Sequence, residues 1–450
     1  MSDIISLIGI VVGLVILIYL AFKGYSIVWV APVCAIVVAA FGCKNLLGAY
    51  MGDFMNGLAN FICTNFPLFF LGAVFGKIMD ITGAARSLAN KLVKLIGSKY
   101  ALLAVVLPCL LMTYGGISLF VVVFVIYPMG YAIYREADLP RTLLPGAIAY
   151  GAFGITMTAI PGSPQVQNLI PTQYYGTTAA AAPVLGLIAA LLIGIPGYIY
   201  LDWKIRKARK EGRHFEEDPK YKAAEFDETK HPSWHWLSCL LPLILVVVVL
   251  NVLPPVLVDA GIVEAMSANE AVIIALLSGI VLACLMNLHQ IKQMPNAISK
   301  GAESSVPAIM NTACAVGFGS VVKSVAGFQL LKNAMLNMPG SILFSEAVAV
   351  NVLAGATGSA TGGLGIALDA LGNQYMAAAD AMGMSYETLH RIASLASGGL
   401  DTLPHNGAVL TLLAVSHCSH KESYWDVCVT SCIIPVVVSL GLSLVWGLFI

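Results

Sequence analysis

Long apolar stretches separated by short polar segments run along nearly the whole chain. They occupy residues 4–22, 25–42, 58–79, 101–135, 141–170, 178–203, 235–258, 268–288, 303–331, 341–370, 386–415 and 424–449. A helix needs about 20 apolar residues to cross a bilayer, and several of these stretches reach that length. The pattern therefore predicts an all-α polytopic membrane protein with about 11–14 transmembrane helices.

Some of these stretches are too long for one straight span. The stretch 101–135 would measure about 50 Å as a single helix at 1.5 Å per residue. It contains Tyr114-Gly115-Gly116 near its middle. We predict a break or a re-entrant hairpin there. Each broken stretch is then one pass or a hairpin, so the number of spans and the side of the N-terminus stay open.

Composition agrees with a lipid-facing surface. Hydrophobic residues make up 58% of the 450 residues and charged residues 11%, whereas soluble domains carry about 25% charged residues. The formal net charge is zero, so we expect no nucleic-acid partner. The ten cysteines are scattered without a C-x-x-C pair, so we expect no metal site, no cofactor and no disulfide framework.

One loop is charged enough to be aqueous. Residues 204–234 begin with a basic run at Lys204–Lys210 and continue through Glu216-Glu217-Asp218. Basic residues directly after a membrane helix are retained on the cytoplasmic side. We therefore place this loop in the cytoplasm, between an N-terminal half (1–203) and a C-terminal half (235–450).

Glycine and proline positions recur at the same spacings in the two halves. The spacings are 39 and 46 residues in both, at Gly76, Gly115 and Pro161 and again at Gly319, Gly358 and Pro404. A shift of 243 residues links the two sets, which predicts repeats over about 58–203 and 301–450. Many transporters are built from two such repeats of inverted orientation.

The charge distribution supports inversion. Segment 77–99 carries five Lys and Arg residues, and its counterpart 320–342 carries two. An inverted pair places the two segments on opposite sides of the membrane, with the more basic one inside.

Polar residues inside the apolar stretches fall at four Gly or Pro breaks. The candidates are Gly115, Gly116 and Ser118 at the first break, Gly358, Ser359 and Thr361 at its counterpart, Thr158, Gly162, Ser163, Gln165 and Asn168 at the third, and Asp401, Thr402, His405 and Asn406 at the fourth. Unwound backbone at membrane depth is tolerated only where protein or a watery cavity satisfies it. A helix that restarts after a break presents free N–H groups, which attract anions. The pattern predicts a site for a small organic anion; the alternatives are helix packing through small residues and a kink without a ligand.

Asp401 and His405 are ionisable residues inside an otherwise apolar segment. Such residues usually mark ion or substrate paths, and histidine titrates near neutral pH. We predict that they bind and release a coupling proton; alternatively, Asp401 caps the following helix.

Two polar motifs elsewhere in the chain are candidate sites for a different coupling ion, Na⁺. Thr64 and Asn65, which precede Pro67, are predicted at a hairpin tip in contact with the substrate, with Asn311-Thr312 as a similar tip in the second half. Unwound carbonyls together with hydroxyl and amide oxygens also bind Na⁺, so sodium coupling stays open.

Other function classes fit less well. An intramembrane enzyme needs a nucleophile with a base, or a metal motif, and neither H-E-x-x-H nor G-x-S-x-G occurs in the chain. A passive channel would not accumulate its solute. A secondary transporter is the function that the pattern favours.

The same motifs resemble a known family. The run LGAVFGKIMDITGAA at 71–85 and the run Gly358–Thr361 resemble the Gly-rich motifs of the gluconate permease family. The run DTLPHNGAV at 401–409 resembles the subgroup of β-hydroxybutyrate permeases. The first half carries Ile160-Pro161-Gly162-Ser163-Pro164 where sugar-acid members tend to carry a His-Pro-Gly-Pro type of break. This departure weakens the case for gluconate itself.

The resemblance implies proton-coupled import of a small monocarboxylate by alternating access. The substrate would be a hydroxy- or keto-acid such as 3-hydroxybutyrate, or a sugar acid such as gluconate. The resemblance also implies membership of the wider ion-transporter superfamily, a homodimer, an elevator motion and a bacterial inner membrane.

Overall fold

A computed structural model describes residues 2–23, 25–117, 119–218, 232–262, 266–336, 341–404 and 406–448. Within these ranges every regular element is a helix. Two predicted site residues, Ser118 and His405, lie outside the described residues, as does 219–231 of the charged loop.

The described helices fall into two consecutive sets. The first set is α1 (Ser2–Phe22), α2 (Ile27–Phe41), α3 (Leu46–Ile81), α4 (Ala84–Ile96), α5 (Ala101–Tyr114), α6 (Leu119–Glu136), α7 (Arg141–Ala159), α8 (Val166–Tyr175) and α9 (Pro183–Lys210). The second set is α10 (Leu237–Asp259), α11 (Ala268–Met286), α12 (Met294–Ser324), α13 (Gly327–Leu336), α14 (Ile342–Thr357), α15 (Ala360–Met382), α16 (Tyr386–Ser397), α17 (Gly407–Val415) and α18 (His420–Trp446). Because α9 continues to Lys210, the basic run at the start of the predicted loop is helical.

Apolar side chains cover the outside of the molecule as well as its core. On α9, Leu191, Ile195 and Ile199 are each more than half exposed. By length and composition, seven described helices could cross a membrane, or up to eight if the pair that meets at a 99° bend between α4 and α5 is one broken span. The prediction of an all-helical membrane protein is confirmed. The count of about 11–14 spans stays a prediction.

The second set of helices follows the first at the spacing of the sequence repeat. α5 ends at Tyr114 and α14 ends 243 residues later, at Thr357. The equivalent helices α3 and α12 pack together and run antiparallel, since Gly57 faces Ser320 while Gly301 faces Val74. Equivalent helices that run in opposite directions are the geometry of an inverted repeat.

The Gly-rich breaks are the turns of two helical hairpins. Gly116 and Gly358 adopt φ of +93° and +59°, the left-handed region that glycine enters without steric cost. Across the second turn Gly363 packs on Ala354, so α14 and α15 lie antiparallel. In the first hairpin Gly130 of α6 faces Val105 of α5. The stretch 101–135 is thus a hairpin and not a single rod, as predicted.

The other two predicted breaks interrupt helices that resume beyond them. α7 ends at Ala159 and α8 begins at Val166, with Pro161 and Pro164 between them. α16 ends at Ser397, and α17 begins at Gly407 after a short 3₁₀ turn. Proline lacks the N–H that a continuing helix needs, which accounts for both interruptions.

The hairpin tip predicted at Thr64 and Asn65 is wrong. Both residues lie inside the continuous helix α3 and donate side-chain hydrogen bonds to the carbonyls of Asn60 and Phe61, one turn earlier. The helix passes through Pro67 without ending. Asn311 and Thr312 likewise lie inside α12.

Candidate functional site

All four breaks line a single cavity of about 1420 Å³. Eight predicted site residues border it: Gly116, Gln165, Gly358, Ser359, Thr361, Asp401, Thr402 and Asn406. The two halves of the chain therefore contribute to one shared space, as the repeat predicts.

Four helices begin at the wall of this cavity. Leu119, Val166, Ala360 and Gly407 are the first residues of α6, α8, α15 and α17, and each borders the cavity. The first turn of a helix has N–H groups without helical partners and carries a partial positive charge. Four such ends around one space favour a bound anion.

Side-chain caps fix two of these helix starts. Ser359 Oγ accepts a hydrogen bond from the Gly362 N–H at 3.2 Å at the start of α15. Asn406 Oδ1 accepts from the Ala408 and Val409 N–H groups at 2.7 and 3.0 Å at the start of α17. The capping role considered for Asp401 therefore belongs to Asn406.

In each half an amide side chain ties the interrupted helix to the neighbouring hairpin tip. In the second half Asn406 Nδ2 donates to the carbonyl of Gly358 at 3.1 Å. In the first half Gln165 Nε2 donates to the carbonyl of Thr113 at 2.5 Å. The hydroxyl of Tyr114 also donates to the Pro161 carbonyl at 3.2 Å. The four breaks are thus connected in pairs.

Asp401 is a buried carboxyl group on the cavity wall. It lies in the 3₁₀ turn Leu400–Thr402 and is 3% exposed. Its Oδ1 has no hydrogen-bond partner among the described residues, and no described cation lies within 4.0 Å of its carboxylate. An unpaired buried charge is costly, so uptake of a proton from the cavity would offset it.

Seven predicted site residues do not border this cavity: Thr64, Asn65, Gly115, Thr158, Gly162, Ser163 and Asn168. Gly115 faces Leu243. Asn168 Nδ2 donates to the carbonyls of Ser163 and Ala179, both at 2.8 Å. Asn168 thus holds the loops around the third break in place and does not reach the cavity. Thr64 and Asn65 border a second, smaller cavity.

Sequence reasoning missed Arg391, which is completely buried on α16. Its guanidinium donates to Asn168 Oδ1 at 2.9 Å and to the carbonyls of Thr158, Ala179 and Ala181 at 2.8–3.4 Å. These acceptors surround the third break, so Arg391 positions it. The sequence does contain a signal for it, since Arg391 is a charged residue beside the apolar segment that contains Asp401.

A charged part of the cavity wall, which we call its mouth because Lys300 and Glu303 are exposed there, was also missed. Three cations and two carboxylates border it: Lys77, Arg86, Lys300, Asp80 and Glu303. Lys77 Nζ lies 2.6 Å from an Asp80 oxygen, and Arg86 lies 4.0 Å from the other. The mouth therefore carries a small excess of positive charge toward an approaching anion.

Comparisons with known proteins agree with this architecture. The family model described as GntP family permease matches residues 4–385. The uncharacterized transporter YxjC of Bacillus subtilis (strain 168) is 38% identical over 448 residues, which span 94% of this chain and 95% of that protein. The crystal structure of the YdaH transporter of Alcanivorax borkumensis, described as having an unusual topology, matches 90% of this chain and 88% of its own with a TM-score of 0.59. At 14% identity, that match shows a shared fold alone. The chain is a multi-pass membrane transporter of the GntP permease family.

Proposed function

We propose that this transporter imports a small organic monocarboxylate together with a proton. The substrate is a hydroxy- or keto-acid such as 3-hydroxybutyrate, or a sugar acid such as gluconate. The observation that carries the proposal is the convergence of four helix N-termini on one cavity. This arrangement binds an anion through backbone N–H groups.

The carboxylate would lie at the starts of α15 and α17. There the hydroxyls of Ser359, Thr361 and Thr312 border the cavity beside the two capped helix ends. Thr312 Oγ1 lies 3.1 Å from Thr361 Oγ1, so hydroxyl groups are already gathered at this point. Such a cluster can form hydrogen bonds with a polar substituent of the substrate as well as with its carboxylate.

Asp401 carries the coupled proton in this proposal. A carboxylate substrate and an ionised Asp401 in the same low-dielectric cavity would repel each other. Protonation of Asp401 removes that repulsion, so substrate and proton bind together. One proton cancels the charge of one monocarboxylate anion, so the pair crosses the membrane without net charge.

Sodium coupling has less support. Of the two motifs considered for Na⁺, Asn311-Thr312 borders the main cavity, whereas Thr64-Asn65 borders the second one. The ligands are therefore divided between two spaces.

The test is uptake into proteoliposomes that contain the purified protein. Radiolabelled 3-hydroxybutyrate, lactate, glycerate and gluconate are offered with an inward proton gradient, and choline replaces sodium in a parallel series. We expect accumulation of at least one carboxylate above equilibrium, abolished by a protonophore and unchanged by choline. Accumulation that requires sodium would overturn proton coupling, and equilibration without accumulation would indicate a channel.

We also propose the membrane arrangement that the chain and its resemblance suggest. The inverted halves are 1–203 and 235–450, the loop 204–234 is cytoplasmic, and two copies of the chain form a homodimer whose mobile parts move as elevators in a bacterial inner membrane. Cross-linking in native membranes tests the dimer, and protease treatment of intact cells tests the side of the loop.

A further inference from the structure

A second cavity of about 330 Å³ lies behind the main one. The same helices separate the two spaces, because neighbouring residues of one helix border one cavity or the other. On α12, Ala315 borders the main cavity and Val316 borders the second. On α3, Leu68 borders the main cavity, and Asn65, less than one turn earlier, borders the second.

The second cavity is the repeat image of the charged mouth. Residues of the second cavity have counterparts 243 positions away that border the main cavity: Gly57 and Lys300, Asn60 and Glu303, Phe61 and Ser304, Thr64 and Pro307, Val316 and Ala73, Ser320 and Lys77, and Lys323 and Asp80. In an inverted repeat such images lie toward opposite faces of the membrane.

The distribution of basic residues indicates which face of the membrane each cavity lies toward. The mouth of the main cavity lies at the end that carries the basic segment 77–99 and the loop after α9, which are joined through α6: Ser98 Oγ donates to Glu136 at 3.0 Å, and Arg135 pairs with Glu217 at 2.8 Å. Basic segments are retained in the cytoplasm. With the loop in the cytoplasm, as proposed above, the main cavity opens inward and the second cavity faces outward.

Three amide side chains are joined by hydrogen bonds beside the second cavity, which two of them, Asn65 and Gln173, border. Gln173 Nε2, on α8, donates to Asn65 Oδ1 of α3 at 2.9 Å and to Asn269 Oδ1 of α11 at 3.1 Å. Asn269 Nδ2 donates to the Thr64 carbonyl at 3.2 Å. Asn65 is 2% exposed. We call Asn65, Gln173 and Asn269 the amide cluster.

The open side lacks an equivalent cluster. The counterparts of Asn65, Gln173 and Asn269 in the repeat are Ala308, Ser416 and Ser26. None of the three has a side chain long enough to bridge helices as an amide does. Ser26 borders the main cavity, and Ser416 Oγ donates within its own helix to Leu412.

We propose that the second cavity is the closed external end of the transport path and that the amide cluster is its gate. The proposal rests on the proposed function, since it assumes that the anion moves between the two cavities. Helix α8 links gate and site: Gln167 at its start borders the main cavity, and Gln173 near its end holds the cluster. Breaking the two bonds of Gln173 releases this part of α8 from α3 and α11, which opens the barrier between the two cavities from the outer side.

The experiment measures thiol labelling and does not depend on transport. The exposed native thiols Cys43 and Cys63 are replaced by serine, and single cysteines are introduced as Asn60→Cys in the second cavity and Glu303→Cys, its counterpart, at the mouth of the main one. A charged, membrane-impermeant methanethiosulfonate is added to intact cells or to inside-out vesicles. We expect Asn60→Cys to react from outside and Glu303→Cys from inside; the reverse pattern would overturn the assignment of faces.

The gate is tested with Asn311→Cys, which borders the main cavity. It should react from the cytoplasmic side alone while Gln173 is intact. Gln173→Glu keeps the shape but loses the donor, and Gln173→Ala removes the side chain; each should raise external labelling of Asn311→Cys about tenfold. Unchanged external labelling in both variants, each shown to be folded by internal labelling, would overturn the gate. Labelling as expected without carboxylate uptake would support the gate and refute the proposed substrate.

Discussion

The two interrupted helices of this transporter have the same outline but different chemistry. The first, α7–α8, is held by the buried guanidinium of Arg391, whose contacts are backbone carbonyls and Asn168. The second, α16–α17, carries Asp401 with an unpartnered carboxylate oxygen at the cavity wall. One interruption is held by a buried cation, and the other places a buried carboxyl group at the cavity wall.

The shift of 243 residues identifies equivalent positions at which the two halves carry different residues. The counterpart of Asp401 is Thr158, and the counterpart of Arg391 is Ile148. The hydroxyl of Thr158 is satisfied by the carbonyl of Gly154 at 2.8 Å, and its own carbonyl accepts from Arg391. Arg391, from the second half, thus donates a hydrogen bond to Thr158, the first-half counterpart of Asp401. A symmetric fold supplies the shared cavity, and unequal residues place a buried cation at one interruption and, in the proposed function, the proton carrier at the other.

Neutralising Asp401 should have the largest effect. In Asp401→Asn no proton can bind at this position, so we expect accumulation above equilibrium to be lost entirely while exchange of labelled for unlabelled substrate persists. The measurement is proteoliposome uptake with and without a proton gradient. Asp202→Asn on α9, which pairs with Arg206 away from the cavity, is the control and should accumulate normally. Full gradient-driven uptake by Asp401→Asn would refute the coupling role.

Removing the guanidinium should chiefly destabilise the protein. In Arg391→Met the buried carbonyl of Ala181 loses its donor, whereas Thr158 and Ala179 still accept from Ser394 and Asn168. A buried carbonyl without a partner costs about 1–3 kcal/mol. We expect a clear drop in melting temperature in detergent, partly restored by Arg391→Lys. Lys323→Met, a cation whose side chain is 44% exposed, is the control. An unchanged melting temperature for Arg391→Met would show that the guanidinium does not position the first interruption.

The amide bridges should give a smaller and unequal effect on affinity. Gln165→Ala removes the hydrogen bonds from Nε2 to the Thr113 and Ile117 carbonyls at the tip of the first hairpin, which predicts a rise in KM of about fivefold. Asn406→Ala removes a bridge and also the cap of α17, and loss of a cap costs about 1 kcal/mol, so its KM should rise further, by tenfold or more. Initial uptake rates over a range of substrate concentrations give both values. A larger effect for Gln165→Ala would contradict a carboxylate site at α15 and α17.

The four breaks could be predicted from the sequence because glycine and proline act on the backbone locally. Gly116 and Gly358 are at tight turns with positive φ, and prolines lie in the gaps between the interrupted helices. Pro67 was misleading, since membrane helices tolerate a single proline where neighbours satisfy the freed carbonyl. The predicted tip at Thr64 and Asn65 failed for this reason.

Which side chains face the cavity could not be predicted in the same way. Ser163 and Asn168 lie at the third break yet are completely buried. Ser163 Oγ accepts from the Gln165 N–H, and Asn168 bonds to the Ala179 carbonyl and to Arg391. Arg391 is more than 200 residues from the carbonyls that it binds. Such partners are set by the packing of the two halves, which the local pattern of residues does not contain.

The smallest expected effect concerns a contact that only the first half has. Asp138, between α6 and α7, has Ala381 as its counterpart. Its carboxylate accepts hydrogen bonds from the Phe215 N–H at 3.0 Å and from His214 Nδ1 at 2.7 Å, which docks the start of the charged loop. The Phe215 N–H, followed by His214, holds the pKa of Asp138 below its ordinary value.

A lowered pKa in the folded protein fixes the sign of the pH dependence. The contact contributes fully above the unfolded pKa of about 4 and is lost as the pH falls through the lower folded value. Hydrogen exchange at the Phe215 amide, corrected for its intrinsic rate, should therefore accelerate below about pH 4, and Asp138→Asn should accelerate it at neutral pH while leaving uptake unchanged. Asp202→Asn should leave this exchange unaltered. If Asp138→Asn also leaves it unaltered, the loop is held by its other contacts and not by Asp138.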